Sequence, residues 1–425
     1  MQRKTQRRHR GGDESRQRIL DAAMAIAVER GYSGTSIGLV TERTGLPASS
    51  VYWHFKDKDD LLAQALEHSF LMWRATVPKS SHAIDAADRL TQIRRRMRSV
   101  AHSFVVSPGF WKLGLMLALE KREPEPSARI RFLSVRHDTQ ADLADWWRHI
   151  LPAGVTTRDA SLPARLARYH LAVVDGLYIG LQTGQDWDHE ILIEMLATGL
   201  NAFAERAILG GPHPAPAEIR TPSRRRQEPA DSRGLILDAA ARIAAESGYE
   251  PTTISKITKR SGLPVSSVYW YFKDKDELLA EVVRHSFDEW RAQQPALAPL
   301  AAGVPLTEGL AAVLSTSVRS LPAAPDFLRI GHMLTLEKRE TEPAARTLFL
   351  QIRDSVEGNL ADWFARELTP SVLTTRPRLP QHLAQLVIAA TDGLFLAHQI
   401  HEAWNPDEFV ALIVDIVHAS IAATG

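Results

Sequence analysis

The sequence predicts an all-α protein made of two similar halves. Apolar residues recur at helical spacing, no stretch alternates as a half-buried strand would, and the chain matches itself when Ser15 is laid on Ser232, a shift of 217 residues. Under that shift residues 15–62 (SRQRILDAAMAIAVERGYSGTSIGLVTERTGLPASSVYWHFKDKDDLL) face residues 232–279 (SRGLILDAAARIAAESGYEPTTISKITKRSGLPVSSVYWYFKDKDELL), and about 30 of the 48 positions are identical. Further on, the same shift lays LALEKREPEP from Leu117 on LTLEKRETEP from Leu334. It also lays LADW ending at Trp146 on LADW ending at Trp363, Asp175-Gly176-Leu177 on Asp392-Gly393-Leu394, and Trp187 on Trp404. One fold is therefore expected twice.

With 425 residues the chain exceeds one ordinary core, and its 44% apolar and 24% charged residues are those of a folded protein. It has no cysteine, which excludes disulfides, thiolate metal sites and cysteine nucleophiles and is compatible with a reducing compartment. The basic start MQRKTQRRHRGG is not followed by the apolar run of a signal peptide, and no stretch reaches membrane-spanning length without charges, so a cytoplasmic protein without a membrane partner is expected. The net charge of +1 presents no global field to phosphate, but its distribution matters more: Arg3, Lys4, Arg7, Arg8, Arg10, Arg16 and Arg18 crowd the start.

In chain order, residues 1–14 read as a basic arm and residues 15–62 as a first three-helix domain with apolar positions Ile19, Ala22, Ala23, Ile26 and Ala27. Residues 63–208 read as a larger helical domain. Residues 209–231, rich in proline, glycine and arginine, cannot build a core and read as a linker able to span up to about 75 Å. Residues 232–279 and 280–425 repeat the two domains, with about eight to ten helices expected per half.

Residues 36–55 read as helix, tight turn, helix. Ser36 caps a helix running to about Thr44, Gly45 supplies the permissive backbone past its end, and Pro47 opens the next helix; Thr253, Gly262 and Pro264 repeat the pattern. Two short helices joined this way can place the second in a DNA major groove, its first turn against the base edges. That turn presents Ala48, Ser49, Ser50 and Tyr52, followed by Trp53 and His54; its counterpart presents Val265, Ser266, Ser267, Tyr269, Trp270 and Tyr271. Val51, Phe55, Val268 and Phe272 are spaced to face inward. In the KDKD turns, Lys58 and Lys275, with Lys56 and Lys273, stand before an apolar helix where a lysine can meet phosphate. Arg7 and Arg8 align with Arg224 and Arg225, so each unit is preceded by a basic arm able to lie along phosphates or enter a minor groove.

The segments GLPASSVYWHFKDKDDLL and GLPVSSVYWYFKDKDELL, with the ILDAA…GY…T(S/T)I approach before each, resemble the DNA-binding domain of the TetR family of transcriptional regulators. The likeness covers about 50 residues per half, with the turn glycine, the Tyr-Trp pair and the following lysine in family order. It implies two halves, each with a helix-turn-helix domain and a helical ligand-binding and dimerisation domain, that form an intrachain pseudo-dimer on double-stranded operator DNA. Tyr52, His54, Lys58, Tyr269, Tyr271 and Lys275 would be operator contacts. Ser36, Thr253, the first-turn residues and the arginine pairs complete the expected DNA-binding set. Ala48 and Val265 depart from the polar residue many relatives place there, and contact with a thymine methyl is the physical substitute.

The resemblance further implies a repressor released by a small-molecule effector bound in a helical pocket. The candidates are Trp111, Met116, Glu120, Trp147, His170 and Tyr178 in the first half, and Leu328, Met333, Glu337, Phe364 and Phe395 in the second. Pairing through residues 162–208 and 379–422 would join the halves, and a higher oligomer stays open. Neither cofactor nor metal is called for: the chain carries no G-x-S-x-G, no phosphate-binding glycine loop, no H-E-x-x-H and no metal-spaced cluster among its 16 histidines, so an enzyme is not expected. The alternative to a regulator is a helical interaction or ligand-binding scaffold that has lost operator binding.

Overall fold

The computed structural model describes residues 2–76, 88–106, 108–120, 122–152, 154–210, 231–249, 251–321, 326–337, 342–400 and 405–423. The described residues are helical, without a strand. The first half holds α1 (Gln2–Gly34), α2 (Ile37–Thr44), α3 (Ala48–His54), α4 (Lys58–Thr76), α5 (Arg89–Val106), α6 (Pro108–Leu119), α7 (Ser127–Ile150), α8 (Val155–Arg158), α9 (Leu162–Thr183) and α10 (His189–Leu209). The second repeats them as α11 (Ser232–Ser247), α12 (Ile254–Ser261), α13 (Val265–Tyr271), α14 (Lys275–Arg291), α15 (Leu306–Ser320), α16 (Asp326–Leu336), α17 (Ala344–Glu367), α18 (Pro370–Thr375), α19 (Leu379–Gln399) and α20 (Pro406–Ala422).

The segment before Ser15, expected as a flexible arm, is instead helical from Gln2 and continuous with α1. Gly11 and Gly12 interrupt it with no proline, and glycine inside a helix is costly but allowed. In each half the first three helices close over a small core. Ile19, Ala23, Ile26, Val40, Val51 and Phe55 are buried in the first, and Ile236, Ala240, Ile243, Ile257, Val268 and Phe272 in the second. The inward positions Val51, Phe55, Val268 and Phe272 thus pack as their spacing predicts.

The two halves meet along α9 and α19. A β-carbon added to Gly176 would lie 1.7 Å from the carbonyl oxygen of Ala389, and one added to Gly393 would lie 1.8 Å from that of Ala172. The crossing is reciprocal, because Ala172 and Ala389 are themselves equivalent positions, and glycine is required on both sides for the backbones to touch. Alongside, Gly199 of α10 abuts Ile416 of α20. The same reciprocity recurs in the arginines: Arg129 donates to the Gln399 carbonyl at 3.3 Å, and Arg346 donates to the Gln182 carbonyl at 3.3 Å. One apolar core runs from the first head through this crossing into α20, while the second head, with parts of α14, α16 and α17, forms a cluster of its own.

Beside the glycines lie two buried carboxylates. Arg136 grips Asp175 with both terminal nitrogens, one at 2.9 Å. Asp392 receives Arg353 at 2.6 Å on one oxygen and stands 3.0 Å from His332 Nε2 on the other. Burial pushes Asp175 above the usual carboxylate range despite Arg136. For Asp392 burial acts the same way, but Arg353 and His332 together outweigh it and hold the carboxyl low.

Two expectations follow from this packing. Gly176→Ala should cost more than about 2 kcal/mol by forcing α9 from α19, whereas Gly358→Ala, whose β-carbon meets nothing within 4 Å, should be neutral or stabilising by up to about 1 kcal/mol; denaturant midpoints compare them. His170, buried against Trp146 and Trp147, is pushed down from 6.5 to about 3 by burial and then by Arg96. Its contribution is therefore complete above pH 6.5 and is lost as pH falls toward 3. Lowering the pH from 7.5 to 5 should cost about 2 kcal/mol through this group, and His170→Leu should flatten that loss of thermal midpoint.

Candidate nucleic-acid interface

Each helix-turn-helix is fixed by local chemistry. The Ser36 hydroxyl accepts from the Leu39 amide at 3.2 Å and the Thr253 hydroxyl from the Lys256 amide at 3.3 Å, capping α2 and α12. Gly45 and Gly262, at φ 68 and 73, adopt the left-handed conformation and donate back to Thr41 and Thr258, ending those helices. Pro47 and Pro264 then start α3 and α13 in extended backbone. Val51 and Phe55 anchor α3 beneath, as Val268 and Phe272 anchor α13, which leaves the opposite face outward.

Most of that face is open to solvent. Ala48, Ser49, Val265 and Ser266 are exposed, and Ser50 and Ser267 half-buried. Trp53 and Trp270 are 84% and 83% exposed, Tyr52 and Tyr269 58% and 55%. So much aromatic surface on a short helix has no structural use within the chain. His54 is half-buried and Tyr271 exposed, each beside the anchoring phenylalanine. Ser36 and Thr253 are exposed caps whose hydroxyl protons remain to give.

The lysines are a correction. Lys58 turns inward: its ammonium donates to the Tyr32 carbonyl at 3.0 Å and lies 4.4 Å from the center of the Tyr32 ring. Lys275 does the same with Tyr249, at 3.4 Å and 4.1 Å. The carbonyl and the ring face give the ammonium partners inside the head, while burial, and after it the nearby Arg122, push Lys58 below the ordinary lysine range. The helix-start amides are also taken, since Asp57 accepts from Asp60 and Asp274 from Glu277, each at 2.9 Å. Lys56 and Lys273 are the exposed lysines of the two turns. The second unit adds Lys256 and Lys259, both exposed on α12, where the first has Leu39 and Glu42. Comparing the repeats for charge differences would have revealed them. Arg7 and Arg8 stand on the helical start of α1, and Arg224 and Arg225 lie outside the described residues.

Behind each reading unit a carboxylate ties head to body. Asp59 accepts from the Tyr32 hydroxyl at 3.0 Å and from the Ser127 amide at the start of α7 at 2.9 Å. Asp276 accepts from Tyr249 at 3.0 Å and from the Ala344 amide at the start of α17 at 2.9 Å. Burial pushes Asp59 up, but its bonds from Ser127 and Tyr32 outweigh this and hold it low. Between the heads, Arg122 bonds Glu120, the Ser33 hydroxyl of the first head and the Ser247 carbonyl of the second, the last at 3.2 Å.

The effector candidates are dispersed by the same packing. Met116, Glu120, Met333 and Glu337 sit at this junction, close to Gly31 and Gly248 of the two heads. Trp111 and Tyr178 interlock with Phe104, Trp147 and His170 pack with Trp146, Phe364 lies on Trp363, and Phe395 on His332. None of these lines the cavity of about 160 Å³ that opens in the second half, which Leu328 alone of the candidates reaches. Large aromatics on apolar helix faces filled space by packing on one another instead of walling a hollow. Among the described residues no group of three potential metal ligands occurs, and no helix is long and apolar enough to cross a membrane.

The family model for bacterial regulatory proteins of the tetR family matches this chain twice, at residues 19–65 and 236–282. The chain is 43% identical over 56 residues to the HTH-type transcriptional regulator AcrR of Shigella flexneri, a match of 13% of this chain and 26% of that protein's length. It is 27% identical over 194 residues to the HTH-type transcriptional regulator BetI of Rhizobium meliloti, covering 45% of this chain and 91% of that protein. The structure also resembles that of a transcriptional regulator from Rhodococcus sp. Rha1, with 24% identity, coverage of 45% and 95%, and a TM-score of 0.34.

If exposed lysines meet phosphate, Lys259→Ala should lower the slope of log affinity for duplex DNA against log salt by about 0.9. Lys58→Ala should leave that slope unchanged while lowering the thermal midpoint. Equal slopes in Lys259→Ala and the parent would remove Lys259 from the interface.

Proposed function

Because the chain belongs to the TetR family of bacterial regulatory proteins and carries that family's DNA-binding domain twice, we propose that it is a cytoplasmic, ligand-responsive transcriptional repressor. Its two helix-turn-helix units, one per half of an intrachain pseudo-dimer, read the two half-sites of a quasi-palindromic operator. The observation that carries this reading is the pair of short helices α3 and α13, each anchored by buried Val and Phe and each turning a bare Tyr-Trp pair outward. The reciprocal crossing at Gly176 and Gly393 supports it, since a two-fold arrangement of heads is what two half-sites about 34 Å apart require.

The domains divide as 15–62 and 232–279 for DNA reading, and 63–208 and 280–425 for regulation. Tyr52, Tyr269, Ser49 and Ser266 reach base edges, and the tryptophans and the exposed lysines lie toward sugar and phosphate. Ala48 and Val265 contact thymine methyls. Because α3 and α13 differ chiefly at Ala48/Val265 and His54/Tyr271, the half-sites are similar without being identical. A small molecule between α14 and α17 displaces them, and Asp276, which joins both helices to Tyr249, passes the displacement to the second head.

The stoichiometry decides. Sedimentation of the protein with its minimal operator should give one chain per pair of half-sites, and Tyr52→Ala or Tyr269→Ala alone should each weaken binding at least about tenfold. Two chains per minimal operator would overturn the intrachain reading.

A further inference from the structure

The two halves repeat one fold but differ in one place that matters to a ligand. In the second half a cavity of about 160 Å³ lies among α14, α15, α16, α17 and α19, walled by Phe287, Trp290, Phe327 and Phe349, with Leu321 and Leu328 at one side and Arg353 at another. In the first half the residues equivalent to Leu321 and Leu328 are Phe104 and Trp111, both buried. Their rings lie 5.4 Å apart, with Tyr178 4.9 Å from Phe104 and Trp73 5.7 Å from Trp111. Where the second half has space, the first has interlocked rings.

The polar wall differs as well. Arg136 holds both oxygens of Asp175 with its two terminal nitrogens. The equivalent Arg353 reaches Asp392 through Nη1 alone, because His332, which replaces Leu115, occupies the other oxygen at 3.0 Å. Arg353 is nine-tenths buried, and its Nε and Nη2 have no hydrogen-bond partner. Donors left this way in an apolar wall are costly, and a bound acceptor relieves the cost. The charge of Arg353 is already balanced by Asp392, and Arg291, the other cation of the lining, is exposed to solvent, so an anionic ligand beside Arg353 would bring an uncompensated charge among rings. Thr391 is spent on the Val387 and Ile388 carbonyls, each at 2.9 Å. A dry cavity of roughly 150 Å³ accommodates a single benzene ring.

We propose that the chain binds one effector per molecule, in the second half only. The ligand is an uncharged, largely apolar molecule of about one ring that carries a carbonyl-type acceptor for Arg353. The inference rests on the regulatory reading only for what occupancy does to DNA, because occupancy itself is measured without DNA.

Calorimetric titration of the full chain with methyl benzoate, toluene and benzoate tests it. Methyl benzoate should bind at one site per chain, with toluene and benzoate at least about tenfold weaker. Leu328→Trp and, as an independent plug, Leu321→Phe copy the first half and should abolish binding, while circular dichroism reports their folding. His332→Leu, which copies Leu115 and lets Arg353 take both oxygens of Asp392, should weaken methyl benzoate about tenfold and leave toluene unchanged. Trp111→Leu should leave the second-half site intact. Two sites per chain, preference for benzoate, undiminished binding in the folded plugged variants, or no binding of methyl benzoate at millimolar concentration would each overturn the inference. A gel shift of the ligand-free chain with operator fragments reads the regulatory function separately, so either can fail while the other stands.

Discussion

Everything in this molecule hangs on the contact of α9 with α19 at Gly176 and Gly393, where two backbones come closer than any side chain would permit. The contact sets the angle and register of the halves, because a one-residue slip would place Leu177 or Asp175 where only glycine fits. The neighbouring carboxylates deepen the constraint. Asp175 and Asp392 are buried carboxyls that Arg136 and Arg353 reach from α7 and α17, so each half's long helix is pinned to the crossing at its middle.

From that pinned middle, α7 and α17 run back to the heads. Their first amides, at Ser127 and Ala344, meet Asp59 and Asp276, which also hold Tyr32 and Tyr249. A displacement of α17 near the cavity therefore has a short route of packed helix and hydrogen bonds to Tyr249, just past α11 in the second head. The first half has the same route, with the packed rings of Phe104 and Trp111 where the second half has Leu321 and Leu328 beside the cavity. The chain thus pairs packed rings in one half with a cavity at the equivalent place in the other, an asymmetry that identical subunits could not hold.

What was legible in the sequence was local. Ser36, Gly45 and Pro47 act within a few residues, and so the bounds of α2 and α3 could be read from spacing, as could the inward Val51 and Phe55. The repeat made the same reading for the second half secure. What was illegible depended on partners far along the chain. Lys58 turns inward for the carbonyl of Tyr32, 26 residues away. Trp111 and Leu328 look alike as apolar positions, and only their neighbours across the helices decide that one fills a space and the other borders it. The crowded arginines of the start suggest a basic arm, yet nothing in the segment forbids a helix.

A regulator assembled from separate subunits must first find its twin, and at a few copies per cell much of it stays unpaired, so occupancy of its target falls more steeply than its abundance. In this chain the partner surface of α9 is supplied by its own α19, at an effective concentration on the order of millimolar however scarce the protein becomes. On the proposed reading, in which one chain spans both half-sites, dilution at cell division halves the number of competent molecules and no more. Control by such a protein would track its synthesis in direct proportion, and each molecule would be ready as soon as it had folded.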